Sequence, residues 1–148
     1  MRQSIPFLDR YLTVTGDEKV ITFLDITEID ESEGIAKGEV LRAVSQLKEY
    51  ASGHRKSFDL KLDPQGTAFQ KKVWIAMREI PYGETQSYGD LARKIGSPKA
   101  FRAVGGACNR NPIAIVQPCH RVVGTNGKLT GFFGGLDLKQ RLLDFEKK

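Results

Sequence analysis

A change of pattern near Asp63-Pro64-Gln65-Gly66 limits the folds that this chain can adopt. Alternating β-branched and aromatic residues precede it, apolar residues at helical spacing follow it, and a proline and a glycine stand between the two. The 148 residues, 40% of them hydrophobic, are enough for one ordinary domain or a compact pair of small lobes. We therefore predict an α+β fold of two lobes, residues 1–63 and 64–148.

The first lobe carries the pattern of a β-hairpin followed by a helix. Tyr11–Thr15 and Val20–Ile26 are typical of strands, and Gly16-Asp17-Glu18-Lys19 between them supplies turn residues. Glu39–Ser52 has apolar residues three and four positions apart and is predicted to be a helix. Its predicted packing face consists of Val40, Leu41, Val44, Leu47 and Tyr50. The lobe is thus predicted to be a small unit of sheet and helix.

The second lobe has the pattern of three helices. Thr67 is a candidate cap for a helix that ends before Pro81-Tyr82-Gly83, and Ser87 is a candidate cap for a helix over Tyr88–Ile95. A third helix is predicted over Lys99–Cys108. Two helices joined by a short glycine-containing turn resemble a helix-turn-helix, but the same arrangement occurs in many folds that never bind DNA. This pattern alone favours a DNA-binding role only weakly.

Charge and cysteine content restrict the partners, the metal sites and the cellular location that we predict for this chain. The net charge of +5 and the pI of about 9.3 suit a polyanionic partner, although a modest excess of lysine is also common in proteins without one. Cys108 and Cys119 are too few for a disulfide framework, and they lack metal-ligand spacing to His54 and His120. Met1–Leu12 lacks a continuous apolar core, and no run in the sequence approaches the roughly 20 apolar residues of a membrane span. We therefore predict no metal site and a cytoplasmic location.

The segment with the most evident chemistry surrounds Cys119. Ile113–Val116 is predicted to be a short strand, and it leads into Cys119 with His120 and Arg121 directly after it. A neighbouring imidazole or guanidinium favours the thiolate, which is the nucleophilic form. An isolated cysteine is more often buried and inert, so the residues alone leave both interpretations open. We predict that Arg121 pairs with a carboxylate or with backbone carbonyls beneath the site.

Pro118-Cys119-His120-Arg121-Val122 resembles the active-site signature of the O6-alkylguanine-DNA alkyltransferase family. The resemblance extends from about Gly66 to Glu146 at matching spacings. It includes Pro81-Tyr82-Gly83-Glu84, Ser87-Tyr88, Pro98–Gly106, Asn111-Pro112 and Gly134-Gly135-Leu136. It implies a ribonuclease H-like first lobe and a mostly helical second lobe with a winged helix-turn-helix and the reactive cysteine. Some members hold a structural zinc in the first lobe, but no cysteine precedes Cys108 here, so the resemblance implies no metal.

The resemblance also implies chemical roles for five residues. Cys119 matches the nucleophile, whose thiolate attacks the alkyl carbon and displaces guanine. His120 matches the histidine that takes the thiol proton through a water, and Glu146 matches the carboxylate that orients this histidine. Tyr88 matches the tyrosine that donates a hydrogen bond toward the leaving guanine. Asn111 matches an asparagine that ties the turn before the active site to the backbone around the cysteine.

Further positions match a DNA-binding surface. The alkylated atom of guanine lies inside the duplex stack, so the nucleotide must be extruded, which the family does through the minor groove. Arg102 matches the arginine that enters the vacated stack, while Ala100, Ala103 and Gly105 keep the recognition helix narrow. Ser87, before the preceding helix, belongs to the same predicted DNA surface.

The predicted pocket for guanine and the alkyl group contains Val122, Phe132, Phe133 and Ala114. Val122 is expected to offer its backbone to the guanine edge. Phe132 and Phe133 depart from the family, in which tyrosine and a small residue are frequent at these positions, and Phe133 can narrow the pocket mouth. Phe101 stands where a smaller residue is usual beside the inserted arginine. It can add an apolar wedge or pack inward, and the sequence leaves both open.

The resemblance predicts an irreversible, stoichiometric transfer of a methyl or other alkyl group from O6-alkylguanine, and from O4-alkylthymine, in duplex DNA to Cys119. It implies no cofactor, double-stranded DNA as the partner, and a monomer. Two alternatives stay open, a non-catalytic lesion sensor of the same fold and a thiol hydrolase built on Cys119 and His120. Sensors of this family lack the reactive cysteine, and a hydrolase needs an oxyanion hole for which no motif is present.

Overall fold

A computed structural model describes residues 1–132 and 134–147. Contacts between residues divide these into two compact units. One unit contains residues 1–65 together with 112–114, and the other contains residues 66–111 and the chain from residue 115 onward. The α+β class is confirmed, because the first unit is built on a small sheet and the second is mainly helical. The division between residues 63 and 64 stays a prediction.

The first unit is built on an antiparallel sheet of β1 (Arg2–Phe7), β2 (Arg10–Gly16) and β3 (Ile21–Thr27), with β2 in the centre. The predicted hairpin of β2 and β3 is confirmed. β1 was not predicted. Its Pro6 has no N–H to donate to a strand ladder, and this is tolerated because β1 lies at the edge of the sheet.

Helix α1 (Gly38–Ala51) packs on this sheet with a face that differs from the predicted one. Its buried apolar side chains are Val40, Ala43, Leu47 and Tyr50. Leu41 was predicted to belong to this face but is 53% exposed. Each helical residue turns by about 100°, so a face through positions 40, 43, 47 and 50 leaves position 41 at its side.

Among the described residues, the second unit consists of four helices, two short strands and two 3-10 turns. In chain order these are α2 (Ala68–Arg78), β4 (Gln86–Ser87), α3 (Tyr88–Lys94), α4 (Phe101–Asn109), a 3-10 turn (Cys119–Arg121), β5 (Val122–Val123), a second 3-10 turn (Thr125–Gly127) and α5 (Leu136–Glu146). The predicted caps Thr67 and Ser87 are confirmed, and each belongs to a capping box, closed by Gln70 and Asp90 respectively. These boxes fix where α2 and α3 begin.

The core of the second unit includes the active-site turn. Trp74 of α2 is 1% exposed, and its Nε1 donates to the carbonyl of Ala107 in α4 at 2.9 Å. Cys119 and Val122 belong to the same cluster of buried residues. The helices therefore fix the position of the 3-10 turn that carries Cys119. Within the part of the chain that the structure describes, no helix is long and apolar enough to cross a membrane.

Three predictions of local structure were wrong or incomplete. Ile113–Val116 is not a strand, because Ile113 forms an isolated bridge and a turn follows, in which Ile115 has a φ of 68°. A short apolar run does not distinguish a strand from another buried segment. The third helix begins at Phe101 and not at Lys99. α5 was not predicted, although its buried residues follow helical spacing.

Candidate active site

A sharp turn places Cys119 against the helical core. The N–H of Cys119 donates to the carbonyl of Gln117 at 2.8 Å, and the N–H of Arg121 donates to the carbonyl of Pro118 at 2.9 Å. β5 follows at once and pairs in parallel with β4. Cys119 is thus held between a proline-led turn and a strand, and it is only 4% exposed.

Glu146 at the end of α5 joins the two residues that follow Cys119. Its Oε2 lies 2.8 Å from Nε2 of His120 and accepts from Nη2 of Arg121 at 2.9 Å, while its Oε1 accepts from Nε of Arg121 at 2.7 Å. Nη1 of Arg121 donates to the carbonyl of Ile80 at 2.7 Å. The predicted pairing of Arg121 with a carboxylate or carbonyls is therefore present. Glu146 contacts His120 although the two residues are far apart in the sequence.

The charges of this cluster follow from its burial. Burial alone would raise the pKa of Glu146, but hydrogen bonds from His120 and Arg121 outweigh it and hold this pKa far below its usual range. Burial lowers the pKa of His120 more than Glu146 raises it, so the imidazole is neutral at neutral pH. An ionised carboxylate only accepts hydrogen bonds, so Nε2 of His120 carries the proton and Nδ1 carries the lone pair. The Nδ1 atom is therefore available as a base.

The two cysteines have different environments. Burial raises the pKa of the Cys119 thiol, while a side-chain hydrogen bond from Asn111 and the positive charge of Lys139 lower it. Cys119 is therefore mainly a thiol at neutral pH, and forming the thiolate needs a base. Burial raises the pKa of Cys108 to about 12, and its Sγ lies 3.6 Å from Sδ of Met77. Cys108 has the environment of an inert core cysteine.

Asn111 is joined to the Cys119 turn by paired amide hydrogen bonds. Nδ2 of Asn111 donates to the backbone carbonyl of Gln117, and Nε2 of Gln117 donates to Oδ1 of Asn111, each at 2.7 Å. Gln117 is fully buried. The tie between Asn111 and the backbone near the cysteine is present, and its effect on catalysis is a proposal.

Lys139 of α5 is a functional candidate that the sequence analysis missed. It is fully buried, and its Nζ donates to the carbonyls of Val122 at 2.5 Å and Thr130 at 2.9 Å. Among the described residues, no carboxylate forms an ion pair with Lys139, and the positive charge of Lys139 lowers the pKa of Cys119. A helical reading of residues 136–146 would have found it, because Lys139 then shares the buried face with Leu142, Leu143 and Glu146.

Tyr88 contacts the same carbonyl as Lys139. Its hydroxyl donates to the carbonyl of Thr130 at 3.2 Å and lies 3.3 Å from Oγ1 of Thr130. Nζ of Lys139 lies 5.9 Å from the centroid of the Tyr88 ring. Burial raises the pKa of Tyr88, so its phenol keeps its proton at neutral pH and can donate it in a hydrogen bond.

The first turn of α4 is exposed. Arg102 and Ala103 are exposed, and Phe101 is 49% exposed, so the inward packing considered for Phe101 is not observed. On the other side of α4, Gly105 lies beside Tyr88, and a Cβ added at Gly105 would stand 3.8 Å from the Tyr88 ring. The helix thus presents Phe101 and Arg102 outward and supports Tyr88 from behind.

Two further residues predicted to contact DNA stand at helix N-termini. Ala100 is the N-cap residue of α4 and offers no side-chain cap. The hydroxyl of Ser87 accepts from the N–H of Asp90 at 3.0 Å and so serves α3. Ser87 precedes α3, whereas Ala100 ends the turn between α3 and α4. Their contacts with DNA stay predictions.

The residues predicted for the pocket are brought together only in part. Val122 is fully buried in β5, and its carbonyl already accepts from the lysine described above. Phe132 is partly buried and packs against the cluster that contains Cys119. Ala114 is buried in the first unit. Phe133 lies outside the described residues. The pocket roles of these residues stay predictions.

Two family models match the chain. The model of the ribonuclease-like domain of 6-O-methylguanine DNA methyltransferase matches residues 4–64. The model of the DNA binding domain of 6-O-methylguanine DNA methyltransferase matches residues 68–148. Together they account for most of the sequence.

Similar proteins are matched over most of their length. A methylated-DNA–protein-cysteine methyltransferase of Methanosarcina acetivorans is 51% identical over 142 residues, which are 91% of this chain and 90% of the relative. The crystal structure of a Mycobacterium tuberculosis O6-methylguanine methyltransferase has a TM-score of 0.86 and 44% identity, covering 99% of this chain and 92% of that chain. A structure of Mycobacterium tuberculosis OGT in complex with DNA has a TM-score of 0.87 and 46% identity at the same coverage.

Proposed function

The chain belongs to the 6-O-methylguanine DNA methyltransferase family, and we propose that it repairs DNA by transferring an alkyl group from O6 of guanine to Sγ of Cys119. The observation that carries this proposal is the arrangement of Cys119 next to a neutral His120 whose Nε2 is bonded to the Glu146 carboxylate. This arrangement supplies a nucleophile and a fixed base in one buried cluster.

The reaction is an in-line displacement at the alkyl carbon. The thiolate of Cys119 forms a new S–C bond while the bond between the alkyl carbon and O6 of guanine breaks. The electron pair of that bond passes to guanine, which takes up a proton and stays in the DNA. The thiol proton passes to Nδ1 of His120 through a water, and the Glu146 carboxylate stabilises the imidazolium that forms.

Burial disfavours the thiolate of Cys119, and two groups act in the opposite direction. Hydrogen bonding by the Asn111 side chain and the positive charge of Lys139 both lower the pKa of Cys119. Both interactions grow as the thiol loses its proton, because a thiolate accepts hydrogen bonds more strongly than a thiol does. They therefore help His120 to form the nucleophile.

Tyr88 is the group proposed to assist the leaving guanine. Its phenol remains protonated and points its hydroxyl at the Thr130 carbonyl. Turning this O–H toward the base allows a hydrogen bond to the negative charge that builds on guanine as the C–O bond breaks. The ring of Tyr88 lies beside Gly105 of α4.

The product limits each molecule to one reaction. The S–C bond on Cys119 is a thioether, and none of the groups in this cluster is placed to cleave it. The protein is therefore consumed by the repair that it performs, and the amount repaired equals the amount of protein. The cluster requires no cofactor for any of these steps.

DNA is the partner of the second unit, which matches the DNA binding domain of the family. We propose that α4 approaches the minor groove, that the target nucleotide is flipped out, and that Arg102 enters the vacated stack. Exposure of Phe101 and Arg102 on the first turn of α4 supports this proposal. Action on O4-alkylthymine, a monomeric state in solution and a cytoplasmic location are further proposals.

Mass spectrometry after incubation with O6-methylguanine in duplex DNA tests the function. We expect a stable gain of one methyl group, mapped to Cys119, and equal amounts of repaired DNA and modified protein. The variant Cys119→Ser should bind the DNA and gain no mass. The matched control Cys108→Ser should react like the parent protein, because Cys108 has a pKa of about 12.

The same experiment separates the competing functions. Tight binding without any mass gain would indicate a lesion sensor. Turnover without protein modification would indicate a hydrolase, and a methyl group mapped to Cys108 would refute the assignment of the nucleophile.

A further inference from the structure

Two hydrogen bonds join the hydroxyl of Tyr88 to Thr130. The phenol O–H donates to the backbone carbonyl of Thr130 at 3.2 Å, and the side-chain hydroxyl of Thr130 donates to the phenol oxygen at 3.3 Å. Both residues belong to the second unit, and both are partly buried. The side chain of Thr130 has no role in the function proposed above.

The two bonds respond differently when the O–H of Tyr88 turns toward guanine. A phenol has a single hydrogen to donate, so a bond to the leaving base replaces the bond to the Thr130 carbonyl. The bond from the Thr130 hydroxyl uses a lone pair of the phenol oxygen and does not need this hydrogen. The Thr130 hydroxyl can therefore hold the phenol oxygen in place before and during the reaction.

Lys139 makes this turn easier. Its Nζ donates to the Thr130 carbonyl at 2.9 Å, and a carbonyl oxygen has two lone pairs. The carbonyl therefore keeps one hydrogen bond after the phenol hydrogen has left it. An acceptor inside a protein that lost its last partner would oppose the turn, and the contact with Lys139 removes this obstacle.

The hydrogen bond from Thr130 also makes Tyr88 a better donor. Electron density moves onto the phenol oxygen as this group gives its hydrogen to a base, and a hydrogen bond accepted by the same oxygen stabilises that density. Burial raises the pKa of Tyr88, and the side-chain hydrogen bond with Thr130 lowers it. The contact that holds the phenol therefore also favours release of its hydrogen.

We infer that Thr130 is a positioning residue whose hydroxyl holds the Tyr88 phenol and strengthens it as a hydrogen-bond donor to the leaving guanine. The step toward guanine rests on the proposed function. The bond between Thr130 and Tyr88 is a property of the free protein and can be measured without DNA.

The infrared C–O stretching band of Tyr88 tests this bond directly. Isotopic labelling of the tyrosine rings reveals the tyrosine bands, and subtraction of the Tyr88→Phe spectrum assigns the band of Tyr88. Accepting a hydrogen bond weakens the phenol C–O bond, so we expect Thr130→Val to shift the band to higher frequency. Thr130→Ser keeps the hydroxyl and should retain the parent frequency. Thr125→Val, which removes an exposed hydroxyl from the preceding 3-10 turn, is the matched control and should also leave the band unchanged.

Alkyl transfer from a free O6-alkylguanine base is the second measurement, because it requires no nucleotide flipping. We expect Thr130→Val to slow this transfer by roughly three- to tenfold, which is the value of one lost hydrogen bond. In a Tyr88→Phe background the same substitution should have no further effect. An equal loss in both backgrounds would show that Thr130 acts on something other than Tyr88, and the inference would be wrong.

The two measurements separate this inference from the proposed function. An unshifted band in Thr130→Val, or a shifted band with an unchanged transfer rate, would overturn the positioning role. Failure of the parent protein to accept an alkyl group on Cys119 would instead overturn the proposed function and leave the infrared result standing.

Discussion

Two arginines of the second unit have opposite surroundings. Arg121 is 5% exposed and donates three hydrogen bonds, two to Glu146 and one to the carbonyl of Ile80. Arg102 lies exposed on the first turn of α4. A buried guanidinium with its donors satisfied organises the cluster around it, whereas an exposed one is free to meet a partner. The comparison gives Arg121 a structural role, whereas Arg102 is exposed where the proposed function needs a residue that enters the DNA stack.

Arg121→Met provides the largest expected effect. The substitution leaves the buried Glu146 carboxylate without its cation and the Ile80 carbonyl without its donor. Removing one partner of a buried ion pair costs about 3–5 kcal/mol, so we expect a clear fall in the free energy of unfolding measured with urea. Arg102→Met is the matched control and should unfold like the parent protein. Equal stability of the two variants would contradict the comparison.

His120→Ala tests what the Glu146 cluster contributes to chemistry. Burial raises the pKa of Cys119, so the transfer rate should rise with pH in the parent protein, and without its base the thiol must lose its proton to solvent. We expect a loss on the order of 10²-fold in rate at neutral pH, and an efficient reaction only at higher pH. DNA binding should change little. A pH profile that matches the parent protein would show that the relay is not used.

Arg102→Ala tests the exposed member of the pair. Unstacking a base costs a few kcal/mol, and an inserted guanidinium offsets part of it. We expect repair of paired duplex DNA to slow by about tenfold, the change that ~1.4 kcal/mol produces. A mismatched target should recover part of the loss, and a free alkylated base should react normally. Equal slowing with all three substrates would instead make Arg102 a residue that holds α4 in place.

Lys139 is buried like Arg121 but, like Arg102, forms no ion pair with a carboxylate among the described residues. Its substitution has the smallest expected effect. The partners of Lys139 are carbonyls and not a carboxylate, so its charge still lowers the pKa of Cys119. Lys139→Met should raise that pKa and shift the rate profile to higher pH, with a loss of less than about tenfold at neutral pH. A profile that shifts to lower pH would reverse the sign that the structure gives to this charge.

Local patterns predicted the elements that depend on short-range chemistry. Turn residues, hydroxyl caps and apolar spacing predicted the hairpin of β2 and β3, the caps Thr67 and Ser87, and three of the four helices described in the second unit, α2, α3 and α4. Ile113–Val116 was predicted wrongly, because Ile115 takes a positive φ that β-branched residues avoid. Such a conformation is stable only where surrounding contacts impose it, and no local pattern contains those contacts.

The sequence by itself determined the family and indicated which cysteine to propose as the nucleophile. Pro118-Cys119-His120-Arg121-Val122, supported by matching segments from Gly66 to Glu146, is dense enough in unusual residues to identify the family and to single out Cys119. These residues are neighbours along the chain or stand at fixed spacings. The motif that they form can therefore be recognised from the sequence alone.

Tertiary structure alone decided the electrical state of the site. Burial and partners tens of residues away, among them Glu146 and Lys139, decide whether His120 is neutral and which of its nitrogens carries the proton. They also set the pKa of the Cys119 thiol. Electrostatic energies and hydrogen-bond directions are set by distances in space and by the exclusion of water, and the fold is what fixes both.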